Sequence, residues 1–484
     1  MLLSGGGAQS AAAVGQGASV DTGAVASTPV FQWNMNVATR ETREVLPTNT
    51  FAAQARTEWL LEADNVPGRF WDLSRSKLIF RANASGIAGT PSLTPIFNSG
   101  LLFKQWMLHI GGVNLSEQNM GYDQYAAWAK TALLEPENLC PVVETTGASL
   151  QGNPYFLNHK ASRGIVTPPA LHNVGGSGVK WSQNAVREPI LRYLEDQNNY
   201  LEIEVFLPHP IFHQPGMVPS SFQVRLCAEI IDLTWQYMCA VLAGETITIT
   251  PVSCNWYVPV VELTAPGLKL YQESLMKTNG ELKLPCLRTE LHVQTLTTTQ
   301  TVFNWSLLGK RVPSAICVHL VDANHANPSS KASDDHPFER SIGNPPRINQ
   351  FRVRAAGRTF PNNYAQAVER ANVAPYNSGG TVALDNEVYR ELTRVYRTYG
   401  QDMGPLFQME TIQTAQNQSI FFVNLQENHD SAVGTRAPMD TIGPIEFYLS
   451  LHANLGTNYL AFITLFYSDQ IIINPVRRAV MPGW

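Results

Sequence analysis

Apolar and polar residues alternate in short runs along this chain, and the runs form two similar series. The first, between Ser74 and Pro266, opens with Lys77-Leu78-Ile79-Phe80-Arg81 and continues with a denser apolar strand, Phe103 to Ile110. The second, between Leu284 and Pro475, opens with Glu290-Leu291-His292-Val293-Gln294 and continues with Ala315 to Val321. A helical stretch follows in each. Tyr122, Tyr125, Ala129 and Leu133 fall on one face of the stretch from Tyr122 to Leu134. Val388, Leu392, Val395 and Tyr399 form one stripe from Asp385, the expected N-cap, to Tyr399. Strands split by turn signals close both series: Tyr200–Leu207, Phe222–Cys227, Thr246–Thr250 and Cys254–Leu263, then Ser419–Leu425, Pro444–His452 and Tyr459–Ile473. The run from Tyr459 to Tyr467 is too apolar for a strand with one wet face, so it belongs at a sheet centre with both faces covered. A repeat of about 200 residues is the size of one β-sandwich, and the pattern predicts two in tandem.

The expected boundaries are an arm and lead-in over 1–74, a first barrel over 75–265, a linker over 266–283, a second barrel over 284–475 and a tail over 476–484. Met1 to Thr28 is Gly, Ala, Ser and Gln with hardly a charge, a composition that builds no core of its own. Arg56 to Glu62 fits either a short helix or an edge strand. The linker carries Pro266-Gly267, a short helix from Tyr271 to Lys277, and Asn279-Gly280. Residues 141–182, 322–360 and 361–384 read as long loops, which in compact domains are functional or interfacial.

Charged residues make up 15% of the 484, well below the usual quarter, so much of the surface is neutral and suits subunit contacts. A net charge of −5 without a basic run argues against sequence-specific or wrapping contacts with nucleic acid. The six cysteines form no C-x-x-C pair, and Cys227 and Cys317 lie within apolar strands, as buried free thiols of a reducing compartment would. No apolar run is long enough to predict a transmembrane helix, and no secretory signal is expected.

Candidate chemistry is sparse. His209 and His213 lie among Pro208, Pro210 and Pro215, which excludes ligation from one helix turn. His325 and His336, with Asp322, Asp334 and Asp335, match no divalent-metal loop and read as a polar loop. Glu202 and Glu204 alternate with apolar neighbours, as on the solvent face of a sheet. No phosphate loop or nucleophile elbow occurs. The expectation is a building block rather than an enzyme, with no cofactor and no metal. A jelly-roll protein that binds or cleaves glycans is the alternative from another class, its groove lined by tryptophans such as Trp106, Trp256 and Trp305.

Pro95 to Phe103 leading into Met107-Leu108-His109-Ile110-Gly111-Gly112, followed by the helix from Tyr122, resembles the first jelly roll of double-jelly-roll major capsid proteins. Leu307 to Pro313 before Ile316 to Asp322, then Phe338, Asn349 to Val353 and the close from Asn458 to Asn474, resemble the second. The resemblance covers roughly residues 75–475 and points to the hexon-like proteins of adomaviruses, adintoviruses and polinton-like elements. Gln470 after Asp469, and Gly111-Gly112 in place of Asn-Gly, depart from that pattern. It implies an all-β chain of two tandem eight-stranded jelly rolls with short helical insertions and long loops. It further implies a homotrimeric, pseudo-hexagonal capsomer that tiles an icosahedral virion around double-stranded DNA. Partners would then be neighbouring capsomers, penton and minor capsid proteins; a minor vertex protein is the related alternative. Leu3-Ser4-Gly5-Gly6-Gly7 resembles the recognition pattern of adenovirus-type maturation proteases, which implies cleavage at Gly6 and Gly7.

Overall fold

The computed structural model describes residues 37–51, 56–85, 94–95, 103–134, 200–205, 207–214, 216–230, 239–240, 248–323, 348–371, 381–386, 419–425, 442–451 and 454–482. The first half contributes β1 (Val37–Val45), β2 (Arg56–Leu61), β3 (Lys77–Ser85), β4 (Phe103–Ile110), β5 (Val113–Asn114), β6 (Tyr200–Val205), β7 (Val224–Ile230) and β8 (Thr248–Leu263). The second contributes β9 (Leu282–Leu296), β10 (Val302–Arg311), β11 (Ala315–Asp322), β12 (Ile348–Ala355), β13 (Arg358–Ala371), β14 (Ser419–Asn424), β15 (Ile442–Leu451) and β16 (Tyr459–Asn474). Shorter or flanking strands are named by their residues.

Each half holds two main antiparallel sheets, and in the first Thr94–Pro95 and Cys239–Ala240 form a further two-stranded one. In the first they run β1-β8-β3-β6 and β2-β7-β4-β5; in the second, β9-β16-β11-β14 and β10-β15-β12-β13. Every strand of the second half takes the place held by the strand eight earlier. First pairs with eighth, second with seventh, third with sixth and fourth with fifth, the pairing of a long hairpin rolled into a jelly-roll-type fold. Residues 381–386 add a further strand beside β13.

The repeat exists, but the expected alignment of its strands is shifted. The strand at Lys77–Arg81 corresponds to β11, not to Glu290–Gln294, and Phe103–Ile110 corresponds to β12, not to Ala315–Val321. The first half's sheets begin at Val37, ahead of the boundary expected at residue 75, because β1 pairs along β8 from Val37 to Val45. Among the residues of that strand whose burial is described, only Val45 is buried, so it lacks the alternation of a core strand. Arg56–Leu61 is the edge strand of the two options, with Trp59 and Leu61 in the core.

Two further expectations change. Residues 358–371 and 381–386 are strands rather than loop; Pro361-Asn362-Asn363 and irregular pairing of β13 hide the pattern. Asp385 and Asn386 end the second of these strands, paired with Val368 and Ala367, so no helix starts at Asp385. Val388, Leu392 and Tyr399 lie outside the described residues, as do Gly6 and Gly7.

Two helices are described; the first stands where the pattern put it, and the second starts at Ala265, six residues before the expected Tyr271, taking in the Pro266-Gly267 expected as a turn. α1 (Asp123–Leu134) leaves β5 in the crossover toward β6. α2 (Ala265–Lys277) joins the halves; Thr264 caps it by accepting from the Gly267 N–H at 3.1 Å, and Tyr271 and Leu275 face inward. β4 and β5 meet in a tight turn in which Gly111 and Gly112 hold φ of +58° and +82°, conformations open to glycine at little cost.

One apolar cluster fills the space between the second half's sheets, with Ile316, Val318, Phe351, Phe447, Ile463 and Leu465 at its centre. The first half's cluster does not stop at its own sheets. It runs through Leu115, Tyr125 and Ala129 to Leu291, Cys317, Phe462 and Phe466 on the outer face of the β9-β16-β11 sheet. As expected, β16 has both faces covered.

Candidate functional site

The best-built polar arrangement among the described residues is the seam where the first half meets that outer face. Tyr125, on the buried side of α1, stacks on Phe462 of β16 with ring centroids 3.7 Å apart and planes 8° apart. Tyr122 meets the same ring edge-on at 5.3 Å, and His319 of β11 lies 6.1 Å from Tyr125. Tyr122 and Tyr125, expected as structural helix residues, thus act between the halves. Leu133 lies in the last turn of α1.

A buried ion pair locks the approach to α1. Lys130 Nζ donates to Glu117 Oε2 at 2.6 Å and to the Pro208 carbonyl at 2.7 Å. The side chains of Lys130 and Glu117 are only 1% and 6% exposed, so neither charge has a solvent alternative. The other Glu117 oxygen accepts from the Thr289 N–H of β9, and the Leu291 N–H donates to the Gln118 carbonyl at 3.1 Å. Residues 117 and 118 therefore bind the edge of the second half's sheet through its backbone, with Gln118 bridged in parallel to Glu290.

Around this clasp the titratable groups are desolvated. His209 caps the short turn Pro210–His213: its Nδ1 accepts from the Ile211 N–H at 3.2 Å, while Nε2 faces the Leu115 carbonyl at 2.7 Å. That geometry fits a neutral ring, and burial pushes its pKa down to about 4. Asp123 accepts from the Trp106 N–H at 2.5 Å, yet burial outweighs this bond and raises its carboxyl to about 7. Burial likewise lowers Lys130.

A second network occupies the other side of the same sheet, between β9, β16 and the end of β10. Arg288 Nε donates to Asp469 Oδ2 at 2.9 Å, and Arg311 donates to the other oxygen. Both guanidiniums lie over the Tyr467 ring, 4.6 and 5.1 Å from its centroid. Glu290 accepts from Lys310 and from His292 Nε2, the latter at 2.8 Å. Burial opposes ionisation of Glu290, but these donors prevail and bring it to about 2. Charge pairing between sheets is the chemistry this arrangement supports.

The other candidates fall elsewhere. Glu202 and Glu204 stand in β6 opposite Arg81 and Ile79. His213 Nε2 lies 2.6 Å from the Leu207 carbonyl. Asp322 ends β11 opposite Tyr459, whereas His325, His336, Asp334 and Asp335 lie outside the described residues. Trp106 and Trp256 are core residues, and Trp305 stacks on Phe447 at 5.2 Å, so these three form no common groove. Among the described residues no group of three His, Cys, Asp or Glu is placed to hold a metal, and no helix is long and apolar enough to cross a membrane. Cys227, Cys254, Cys286 and Cys317 are free thiols.

Sequence reasoning missed Glu117, Lys130 and Arg288. Glu117 and Lys130 sit in a turn and a helix with no shared period. Asp469 carried a usable signal, as a carboxylate inside the apolar run that ends at Ile473.

No family model and no curated protein matches the chain. Solved structures do. A chain of the Sputnik virophage aligns with a TM-score of 0.50 at 10% identity, covering 93% of this chain and 89% of its own. VP54 of PBCV-1 gives 0.48 at 10% identity, covering 92% and 97%; the mavirus major capsid protein gives 0.45 at 9%, covering 100% and 96%. The chain is similar in structure to major capsid proteins of DNA viruses. At such identities the Sputnik likeness speaks to the fold alone, and these structures do not single out the adomavirus, adintovirus or polinton-like group.

Proposed function

We propose that this chain is a viral major capsid protein of the hexon-like, double-jelly-roll kind. Its two sheet pairs would be two closed eight-stranded barrels, over about 37–263 and 282–482. Three copies would form a pseudo-hexagonal capsomer, and capsomers would tile an icosahedral shell around double-stranded DNA with penton and minor capsid proteins. The observation that carries this reading is the identical strand order of the halves, joined by a seam that buries one half's helix in the other's sheet. A chain built as two fused equivalents offers six matching units from three copies, which a pseudo-hexagonal outline requires. The sparse charge of the sequence and the absence of a built active site among the described residues support a role in assembly. The virion is the corresponding location, with the four free thiols suited to assembly in a reducing compartment. Cleavage at Gly6–Gly7 would belong to maturation.

The direct test is solution mass. Sedimentation should give three times the 53.5 kDa of one chain, stable on dilution to micromolar concentration. A monomer under those conditions counts against a capsomer.

A further inference from the structure

One short segment of the first half is held from both sides of the seam. Leu207–Gln214, with Gly216, lies between the approach to α1 and β9. Lys130 Nζ of α1 donates to the Pro208 carbonyl at 2.7 Å, and a Cβ at Gly216 would stand 2.3 Å from Leu284 Cδ2 of β9. Gln214 ties the segment to itself: its amide donates to the Ile211 and Gly216 carbonyls, and its oxygen accepts from the Gly216 N–H. At the centre stands His209, 4% exposed. Its Nδ1 accepts from the Ile211 N–H, and its Nε2 faces the Leu115 carbonyl, which needs a hydrogen there. Only the neutral ring with its hydrogen on Nε2 satisfies both partners. A second proton has one place to go, Nδ1, where it would point at an N–H that is itself a donor.

We propose that His209 is an acid-operated latch on the seam: on taking up a proton it unseats the Leu207–Gln214 segment and lets the two halves part while the sheets of each stay folded. Losing the Nδ1 acceptor removes the cap of the Pro210–His213 turn. The same movement takes the Pro208 carbonyl from Lys130 and the packing of Gly216 from Leu284. Water then reaches the Glu117–Lys130 pair, and the hold of residues 117 and 118 on the edge of β9 weakens. The latch acts within one chain and does not depend on the capsomer reading above.

The groups around the ring set the direction. Burial opposes the imidazolium most; Lys130 of α1 and His213 of the same turn oppose it too, while Glu117, before α1, favours it. On β9 the titratable group beside Glu117 and Lys130 is Cys286, whose thiol burial raises to about 12, so it stays neutral. The short turn Leu73–Arg75, also packed on this segment, brings Arg75, which pairs with Asp72 at 3.8 Å. Asp123 of α1 accepts from the Trp106 N–H of β4, in its own half, and stays with that half when the seam opens. The open form takes up its proton near the ordinary 6.5 and the closed form near 4. Opening therefore grows about tenfold per pH unit between those values, about 300-fold in all, and levels off below 4.

The test is hydrogen exchange of the full chain between pH 7 and 4, corrected for the intrinsic rate at each pH. Exchange at residues 284–292, where the Thr289 and Leu291 N–H groups bind residues 117 and 118, should rise by about two orders of magnitude or more. Exchange at residues 445–449, inside the second half's other sheet, should not rise with it. His209→Asn keeps an oxygen where Nδ1 accepts and takes up no proton, so its exchange at 284–292 should stay flat. His213→Gln is the control and should follow the wild type. A flat wild-type profile, or a rise that His209→Asn retains, would overturn the proposal. A rise abolished by His213→Gln would refute the assignment to His209. Should His209→Asn fail to fold, the wild type alone decides: equal rises at 284–292 and 445–449 mean unfolding of the half rather than parting at the seam, and sink the latch.

Discussion

Removing the Lys130 ammonium should be among the most damaging single changes at the seam. In Lys130→Met the Glu117 carboxylate remains buried and loses the ammonium that pairs with it, keeping the Thr289 N–H on one oxygen. Breaking a buried pair from one side typically costs about 3–5 kcal/mol, because the surviving charge has no solvent. Changing the partner as well should recover much of that. With Glu117→Gln added, the amide oxygen still accepts from Thr289 and no buried charge is left. The remaining loss is chiefly the bond to the Pro208 carbonyl, roughly 1 kcal/mol. The double variant should therefore be more stable than Lys130→Met alone by about 2 kcal/mol or more. Urea unfolding followed by tryptophan fluorescence measures both, and hydrogen exchange at residues 284–292 reports whether the loss is local to the seam. A double variant as unstable as the sum of the singles would refute the claim that the pair is held by desolvation and mutual charge.

Gly216→Ala should strain the seam: the new methyl would meet Leu284 Cδ2 at 2.3 Å and Gln214 Oε1 at 2.7 Å, and a loss of about 1–3 kcal/mol in denaturant melts is expected. Asp469→Asn strips charge from between two guanidiniums and should cost about 3 kcal/mol, whereas unchanged melting would show that Arg288 and Arg311 find other partners. Burial lowers His209 from its ordinary 6.5 to about 4, so its contribution is complete above pH 6.5 and lost as pH falls through 4; hydrogen exchange at residues 207–214 should rise over that window before the second half opens. Asp123 is the opposite case. Burial raises it from 3.8 to about 7, so stability falls as pH rises across that range, and Asp123→Asn should flatten this part of the pH–stability curve.

The architecture was partly legible because its central strands are dense apolar runs. Phe103–Ile110, Ala315–Val321 and Tyr459–Ile473 announce themselves, as does Tyr122–Leu134 through its helical stripe. The edges were not legible. β1 pairs along most of its length, but among its described side chains only Val45 is buried, so little in Val37–Val45 distinguishes it from a polar lead-in. The expected alignment of the halves was thereby displaced, by two strands at Lys77–Arg81 and by one at Phe103–Ile110. The strand at 358–371 was hidden by Pro361 and by irregular pairing that breaks strict alternation. The seam was legible only in its apolar part. Tyr122 and Tyr125 signalled a packed helix face, but not that the face belongs to the other half. The Glu117–Lys130 clasp joins a turn to a helix and then to β9 across 172 residues of sequence, a relation without any local pattern.

A three-dimensional image reconstruction of the purified chain tests the central claim most directly. The account predicts a three-fold particle with six upright barrels in a pseudo-hexagonal outline. A monomeric particle, or a two-fold dimer, would contradict it.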